Sequence, residues 1–274
     1  MRLAILLATF NGEKYLREQL DSLFAQTYKD WILYIRDDGS VDKTPDILNE
    51  YKNKYKNIYL FKDDIKRGAK NSFMWMLDKV DSEYYMFCDQ DDVWLPFKVE
   101  KTLEKMLSME VKNKGKAILV NTDLTVVDSD LKIIMPSMWK YSKLNPYILQ
   151  HTEYLCVCNF VTGCTVMINN KVKQLALPVA DEAVMHDAWI ALKVIANSGI
   201  ISSIDTPTIL YRQHAVNVFG AERLSSVCMY VFKRIRALKT VISKNKAQFL
   251  MVNKIIPFPF IKYVKFKILF FLRR

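Results

Sequence analysis

The chain has 274 residues, of which 51% are hydrophobic and 25% are charged. This composition excludes a disordered protein, and the length suits one large domain or two small ones at roughly 150 residues per domain. The formal net charge of +11 is unevenly spread: residues 221–274 hold 13 Lys or Arg and one acid, a local charge of +12 that leaves −1 for residues 1–220. We therefore predict a near-neutral body over residues 1–220 and a basic extension over residues 221–274.

The cysteines and the N-terminus indicate the compartment. The five cysteines are odd in number and scattered, and Cys156 and Cys158 have no second pair with which to complete a zinc cage. The first apolar run is short and leads directly into Thr9, unlike a secretory signal peptide. We predict a protein of the reducing cytoplasm.

Apolar strands alternate with amphipathic helices along the first half of the chain. Strands are predicted over residues 3–8, 31–36, 57–61 and 84–88, and helices over about 11–24, 44–51, 71–80 and 96–110. This alternation predicts right-handed βαβ units and a parallel sheet with helices on both faces. Further strands are predicted over 116–122 and 155–168, two short ones within 200–211, and a helix over 188–196, with 136–154 irregular.

Polar side chains follow three of these strands at the point where each strand ends. Thr9 and Asn11 follow the first, Asp37 and Asp38 the second, and the segment 89–92 the fourth. Because ligands of parallel sheets gather at the carboxyl ends of the strands, we expect these side chains to share one site.

The segment Asp89-Gln90-Asp91-Asp92 is the densest acidic cluster of the body. Hard cations such as Mn²⁺ and Mg²⁺ prefer oxygen ligands, and they often bind through one or two carboxylates together with substrate phosphates. A short acidic turn before the next helix explains the same residues. The cluster alone leaves both interpretations open.

Two later motifs each contain a histidine. Asp187, after His186, is either a helix cap or a general base for an acceptor hydroxyl. Arg212 can clamp a phosphate in bidentate fashion, and His214 is either a metal ligand or a surface residue. The sequence has no glycine-rich phosphate loop, so a metal and Arg212 are the remaining means of neutralising phosphates.

Taken together, six motifs resemble the bacterial family 2 glycosyltransferases, most closely their rhamnosyltransferase-like branch. The motifs are Ala8–Leu16, Arg36–Ser40, Phe87–Trp94, Thr162–Thr165, His186–Trp189 and Tyr211–Ala221. The resemblance implies an α/β GT-A fold, a Rossmann-like mixed and mostly parallel sheet flanked by helices, followed here by a basic helical extension. It also implies inverting transfer of a sugar from a nucleoside diphosphate donor with the help of Mn²⁺ or Mg²⁺.

The resemblance also assigns roles to individual residues. The nucleotide-sugar donor would contact Thr9, Asn11, Asp38, Asp89 and Arg212; the metal would be held by Asp89, Asp91 and His214; the base would be Asp187; and the sugar and acceptor pocket would include Trp94, Trp189 and His186. One departure is Ala188, where the family often has a second aromatic residue.

The favoured donor is dTDP-rhamnose, with UDP-hexoses as the alternative, and the acceptor is a glycan or lipid-linked glycan of cell-surface polysaccharide synthesis. A sugar nucleotidyltransferase, which would release pyrophosphate, is a second alternative. A non-catalytic module that binds membrane or nucleic acid is a third. The body carries acids where a nucleic-acid binder places Lys and Arg, so we predict no nucleic-acid partner.

The basic extension ends in an apolar stretch over residues 258–274 that contains three lysines. The stretch is shorter than the ~20 apolar residues of a spanning helix. Aromatic side chains flanked by Lys and Arg favour a helix that lies on an anionic leaflet, so we predict peripheral attachment to the inner face of the cell membrane. A helical cap packed on the body is the alternative.

Overall fold

The computed structural model describes residues 2–62, 65–214 and 230–272. Nine strands of this part of the chain form one sheet: β1 Leu3–Thr9, β2 Ile32–Asp37, β3 Ile58–Phe61, β4 Tyr84–Cys88, β5 Val93–Trp94, β6 Ile118–Val127, β7 Ile133–Met135, β8 Val166–Asn169 and β9 Ile200–Arg212. The helices are α1 Leu16–Phe24, α2 Thr44–Lys54, α3 Gly68–Lys79, α4 Lys98–Lys112, α5 Met138–Tyr141, α6 Pro146–Leu149, α7 Thr152–Val157, α8 Asn170–Ala176, α9 His186–Ala196, α10 Tyr230–Ile255 and α11 Phe260–Leu272.

The strand order is β3-β2-β1-β4-β8-β6-β9-β5, with β7 paired to β6. The first four strands of this order run parallel, as does the β6–β9 pair. Strand β8 is antiparallel to both β4 and β6. The predicted mixed sheet with flanking helices and a C-terminal helical extension is therefore confirmed.

The parallel part of the sheet is covered on both faces, in keeping with the apolar run of β1 from Leu3 to Ala8. Ile5 and Leu7 face one core, which they share with side chains of α1, α2 and α4. Leu6 faces the opposite core, which contains side chains of α3, α8 and α9. The period-two alternation of a strand thus divides one continuous apolar run between two cores.

Three sequence-based assignments differ from the structure, and the first is the segment 136–154, predicted to be irregular, which contains helices α5 and α6. The predicted strand over residues 155–168 is helix α7, a 3₁₀ turn over Gly163–Thr165 and the short strand β8. The two short strands predicted within 200–211 are one strand, β9. Periodicity cannot separate a buried strand from a buried helix segment in a short apolar run, and packing of α7 against α9 and α11 decided this one.

The C-terminal helices pack on the body. Met251, Val252, Phe258, Tyr263 and Phe270 are buried in the same core cluster as α7 and α9. The described part of the extension therefore packs on the body as a helical cap, which is the alternative that the sequence analysis gave. The predicted boundary between residues 220 and 221 lies outside the described residues, as do Asn217, Gly220 and Ala221 of the sixth motif and the basic residues 223, 273 and 274.

Candidate functional site

The loops after β1 and β4 are joined by Gln90. Its Oε1 accepts hydrogen bonds from the Thr9 hydroxyl at 2.5 Å and from the Phe10 N–H at 2.8 Å, and its Nε2 donates to the Phe10 carbonyl at 3.1 Å. A Cβ atom on Gly12 would lie 2.4 Å from the same Oε1, so the close approach requires glycine there. Thr9 is 3% exposed and its hydroxyl is bonded to Gln90. The Thr9 hydroxyl therefore joins the two loops, and the predicted contact of Thr9 with the nucleotide stays a prediction.

The loops after β1 and β2 are joined by Asn11. Its Oδ1 accepts from the Val41 N–H at 3.0 Å, and its N–H donates to the Ser40 hydroxyl at 2.8 Å. Asn11 has a φ of +47°, a left-handed conformation that Asn tolerates better than most residues because its short amide bonds locally. The residue itself is exposed at the rim of the site, where the predicted contact with a donor stays a prediction.

Asp38 orients the start of α3. Its carboxylate accepts the N–H groups of Arg67 at 2.7 Å and Gly68 at 2.8 Å, and the Arg36 guanidinium lies 2.5 Å away. Burial by itself raises the pKa of Asp38, but these hydrogen bonds outweigh burial, so the pKa is lower than the usual value for Asp. Asp38 is thus a fixed negative charge at the end of β2.

Asp91 and His214 face each other from loops that are far apart in sequence. The Asp91 Oδ2 lies 2.8 Å from the His214 Nε2, and the two side chains are 17% and 12% exposed. The Tyr15 ring stacks on His214 with 5.0 Å between ring centroids, which fixes the plane of the imidazole. A carboxylate oxygen and an imidazole nitrogen at an accessible surface are ligands that Mn²⁺ accepts, so this pair fits the predicted metal.

A second group of candidate ligands lies deeper. Single ligand atoms of Asp89, Asp92 and Cys164 all lie within 4.8 Å of one another. Asp92 is fully buried and its Oδ1 accepts the Arg212 N–H at 3.0 Å. Burial also raises the pKa of the Cys164 thiol well above its usual value, so the sulfur stays protonated and a poor ligand for a hard cation. Asp89 is the member of this group that also lies toward Asp91. Burial raises the pKa of Asp89 to about 7, and the charge of Asp91 is the second contribution to this increase.

Arg212 supports the acidic loop and contacts Glu18 at the same time. Its Nε donates to the Asp91 carbonyl at 2.8 Å, one terminal nitrogen to the Ser129 carbonyl at 2.5 Å and the other to Glu18 at 2.5 Å. The side chain is 1% exposed and lies over the Tyr15 ring. Every guanidinium nitrogen is bonded to protein, and the residue positions the Asp91 backbone. The predicted contact of Arg212 with the diphosphate stays a prediction.

Asp187 lies in the first turn of α9, and the helix is capped by Met185 instead. Its Oδ2 accepts the Gly163 N–H at 3.0 Å and its Oδ1 the Ala188 N–H at 2.6 Å. Burial raises the pKa of Asp187 to about 6 in spite of these hydrogen bonds. The Asp187 charge also contributes to the raised pKa of Asp89, so the two carboxylates border one site.

The three side chains predicted to shape the sugar and acceptor pocket are buried instead. Trp189 is 3% exposed and its indole N–H donates to the Ala176 carbonyl at 2.8 Å, while Trp94 is 1% exposed in the core beneath α4. His186 is 3% exposed between Phe73 and Phe87. His186 and Trp189 lie on the side of α9 that packs on the core. The assignment of the three residues to the sugar and acceptor pocket stays a prediction.

Sequence reasoning missed three residues that organise the site. Gln90 was passed over between two acids, although a long amide in a strand-end loop can bridge two backbones. Glu18 lies outside all six motifs, two residues after the first of them ends. Gly163 belongs to a quoted motif, but its contact with Asp187 could not be foreseen; a Cβ atom there would lie 2.5 Å from the His186 Nε2.

The model of the family described as "Glycosyl transferase family 2" matches residues 4–173. This chain belongs to that family. The match covers the three strand-end loops and Gly163, whereas Asp187, Arg212 and His214 lie beyond it.

Individual relatives are more distant. The chain is 27% identical over 168 residues to an uncharacterized glycosyltransferase of Rickettsia typhi, covering 60% of this chain and 49% of that protein, so the match spans about half of that relative. It is 27% identical over 231 residues to the dTDP-rhamnosyl transferase RfbG of Shigella flexneri, covering 78% of this chain and 74% of the relative. The structure of S. aureus TarS residues 1–349 with UDP-GlcNAc has a TM-score of 0.58 at 18% identity and covers 93% of this chain and 72% of that one, which confirms the GT-A fold.

Proposed function

We propose that this glycosyltransferase family 2 member transfers a sugar with inversion from a nucleoside diphosphate donor to a hydroxyl of a glycan or lipid-linked glycan. The observation that carries the proposal is Asp187, a carboxylate fixed by the Gly163 N–H with a pKa of about 6. A base of that pKa is ionised at neutral pH and can still accept a proton efficiently. The charge of Asp187 also contributes to the raised pKa of Asp89, on the donor side of the site.

The chemical step assigned to Asp187 is proton removal. The acceptor hydroxyl forms a bond to the anomeric carbon on the face opposite the leaving group, its proton passes to the Asp187 carboxylate, and the bond to the diphosphate breaks. The products are the glycoside with inverted configuration and a nucleoside diphosphate. The Gly163 and Ala188 N–H groups hold the carboxylate in place for the transfer.

Asp91 and His214, with Asp89 beside them, are the residues proposed to hold Mn²⁺ or Mg²⁺. A bound divalent ion would neutralise the charge on the leaving diphosphate. Arg212, through its bond to the Asp91 carbonyl, fixes the loop that presents these ligands. Tyr15 keeps the His214 ring in the orientation that faces Asp91.

The proposed donor is dTDP-rhamnose, with a UDP-hexose as the second candidate. The likeness to the rhamnosyl transferase of Shigella flexneri supports the first. The Asp91–His214 pair does not distinguish between the nucleobases of the two donors, because the pair would serve the diphosphate that both donors share. Peripheral attachment at the inner face of the membrane is proposed along with a lipid-linked acceptor; no helix among the described residues is long and apolar enough to cross a bilayer.

The test is a thermal-shift screen of dTDP-rhamnose, UDP-glucose, UDP-GlcNAc and GDP-mannose with and without Mn²⁺. We expect one donor to raise the melting temperature in a metal-dependent way in the wild type and not in Asp91→Asn. The stabilising donor is then used in turnover, and chromatography identifies the released nucleotide. Release of pyrophosphate would assign the chain to the nucleotidyltransferases, and no metal-dependent stabilisation by any donor would overturn the proposal.

A further inference from the structure

Helix α11 has two apolar sides, and the described residues cover only one of them. On the inner side Tyr263 and Phe270 are buried in the core, and the Lys267 ammonium donates to the Val157 carbonyl at 2.6 Å. These contacts anchor the helix to α7. The helix is therefore formed and oriented before it meets any partner.

The outer side of α11 is apolar and exposed. Ile261 is 83% exposed, Val264 38% and Ile268 53%, and the spacing of i, i+3 and i+7 places all three on one stripe. Phe260, 63% exposed, starts the same helix. Single exposed apolar residues need no explanation, but a continuous stripe on an anchored helix indicates a surface that meets something apolar.

The charge around the stripe selects the partner. Helix α11 itself contains three lysines and no Asp or Glu. Lys265 is exposed next to the stripe, four residues after Ile261, and Lys262 lies 3.4 Å from Glu153 on α7. A partner with an apolar interior and an anionic border matches this arrangement.

Other partners fit less well. An isologous dimer through this stripe would place two basic borders against each other, and like charges oppose that contact. A nucleic acid would be met by Lys and Arg at the centre of the surface, where this helix has isoleucine and valine. Helix α11 has 13 residues, about 20 Å long, and contains three lysines, so it is too short and too charged to span a bilayer.

We propose that the outer stripe of α11, formed by Ile261, Val264 and Ile268, docks the folded protein on an anionic phospholipid surface, with Lys265 among the headgroups. This names the surface behind the peripheral attachment given under the proposed function, and it does not depend on sugar transfer. Because the inner side of α11 is fixed in the core, docking inserts a preformed helix. The body is held in one orientation on the membrane, unlike a body tethered by a segment that folds on binding.

The experiment is co-sedimentation of the full chain with vesicles of 70% phosphatidylcholine and 30% phosphatidylglycerol, compared with vesicles of phosphatidylcholine alone. The test variant carries Ile261→Ser, Val264→Ser and Ile268→Ser. The matched control carries Leu107→Ser, Val111→Ser and Ile133→Ser, which are 38%, 73% and 63% exposed on other parts of the surface. Thermal unfolding of both variants establishes that they are folded.

We expect the test variant to lose at least about tenfold in partitioning to the anionic vesicles, with the control unchanged. Lys265→Gln should weaken binding to the anionic vesicles and leave the weak binding to phosphatidylcholine as it is. Far-UV circular dichroism should not change on binding, because the helix already exists. Donor stabilisation in the presence of Mn²⁺ should be equal in the test variant, the control and the wild type, which separates this inference from the proposed function.

Four results would overturn the inference. The wild type could fail to bind anionic vesicles, or the test variant could bind them as well as the wild type. Sedimentation velocity could show a dimer that the three serine substitutions dissolve, which would assign the stripe to a second copy of the chain. A gain of helicity on vesicle binding would contradict docking through a preformed helix.

Discussion

The strand-end loops and the C-terminal helices use burial in opposite ways. In the loops, buried or half-buried polar groups such as Gln90, Arg212 and Asp187 make specific hydrogen bonds, and burial raises the pKa of Asp187. In α10 and α11, burial is apolar, and the polar side chains reach carbonyls or surface acids. The loops therefore position the polar groups proposed to act in catalysis, whereas the helices contribute apolar packing and an exposed surface. Substitutions should therefore separate activity from stability in the first region and stability from surface binding in the second.

The largest expected effect is that of Asp187→Asn on activity. We expect kcat to fall by about 10² to 10⁴ because the acceptor proton loses its acceptor. Burial raises the pKa of Asp187 to about 6, so the stability contributed by its protonated form is present below about pH 4 and is lost as the pH rises through about 6. At pH 8 the neutral amide should not lower the free energy of unfolding. Urea titration beside steady-state kinetics checks both parts, and retained turnover would remove Asp187 from its role.

Arg212→Met should act mainly on stability. The substitution removes the bonds to the Asp91 and Ser129 carbonyls and to Glu18, and we expect the free energy of unfolding to fall by about 2 to 4 kcal/mol. Chemical denaturation measures this loss. A variant with wild-type stability and weakened donor binding would indicate that Arg212 contacts the diphosphate of the donor.

The two sides of α11 should respond differently to truncation. Phe270→Ala removes a side chain that is 7% exposed and should lower the free energy of unfolding by about 3 kcal/mol. Ile268→Ala, at a position that is 53% exposed, should change it by less than about 0.5 kcal/mol. Equal effects at both positions would mean that the outer stripe is covered in the folded chain.

Removal of the metal should lower activity and leave the fold intact. We expect chelation, Asp91→Asn or His214→Gln to lower kcat by about 100-fold, since a bound ion contributes several kcal/mol to charge stabilisation. Circular dichroism and unfolding midpoints without donor should stay close to those of the wild type. Full turnover in the presence of a chelator would show that the pair is only a hydrogen bond between Asp91 and His214.

The smallest expected effect is the dependence of kcat/KM on pH. Because the base must be ionised, kcat/KM should fall about tenfold for each pH unit below the pKa of Asp187, which is about 6. Donor binding measured at the same pH values separates this loss from loss of the metal. A profile that stays flat down to pH 5 would exclude a base with a raised pKa.

Much of the fold could be predicted because its signals are local. The apolar run of β1 and the strand–helix alternation to β4 follow from side-chain periodicity, and the strand ends place three polar loops together. The two-residue strand β5 and helix α7 could not be predicted in this way. Strand β5 has too few residues to show a period, and its pairing with β9 joins residues more than a hundred positions apart.

Local sequence patterns were enough to predict the strand–helix alternation as far as β4, the family and the carboxylates at the strand ends, because each of these depends on neighbouring residues. Only the tertiary structure shows which of these polar groups also bind one another. Thr9 forms a hydrogen bond with Gln90, and Arg212 forms hydrogen bonds with Glu18 and with backbone carbonyls of distant segments. The same holds for the C-terminal helices, since only packing against α7 could divide an apolar, basic helix into a buried side and an exposed one.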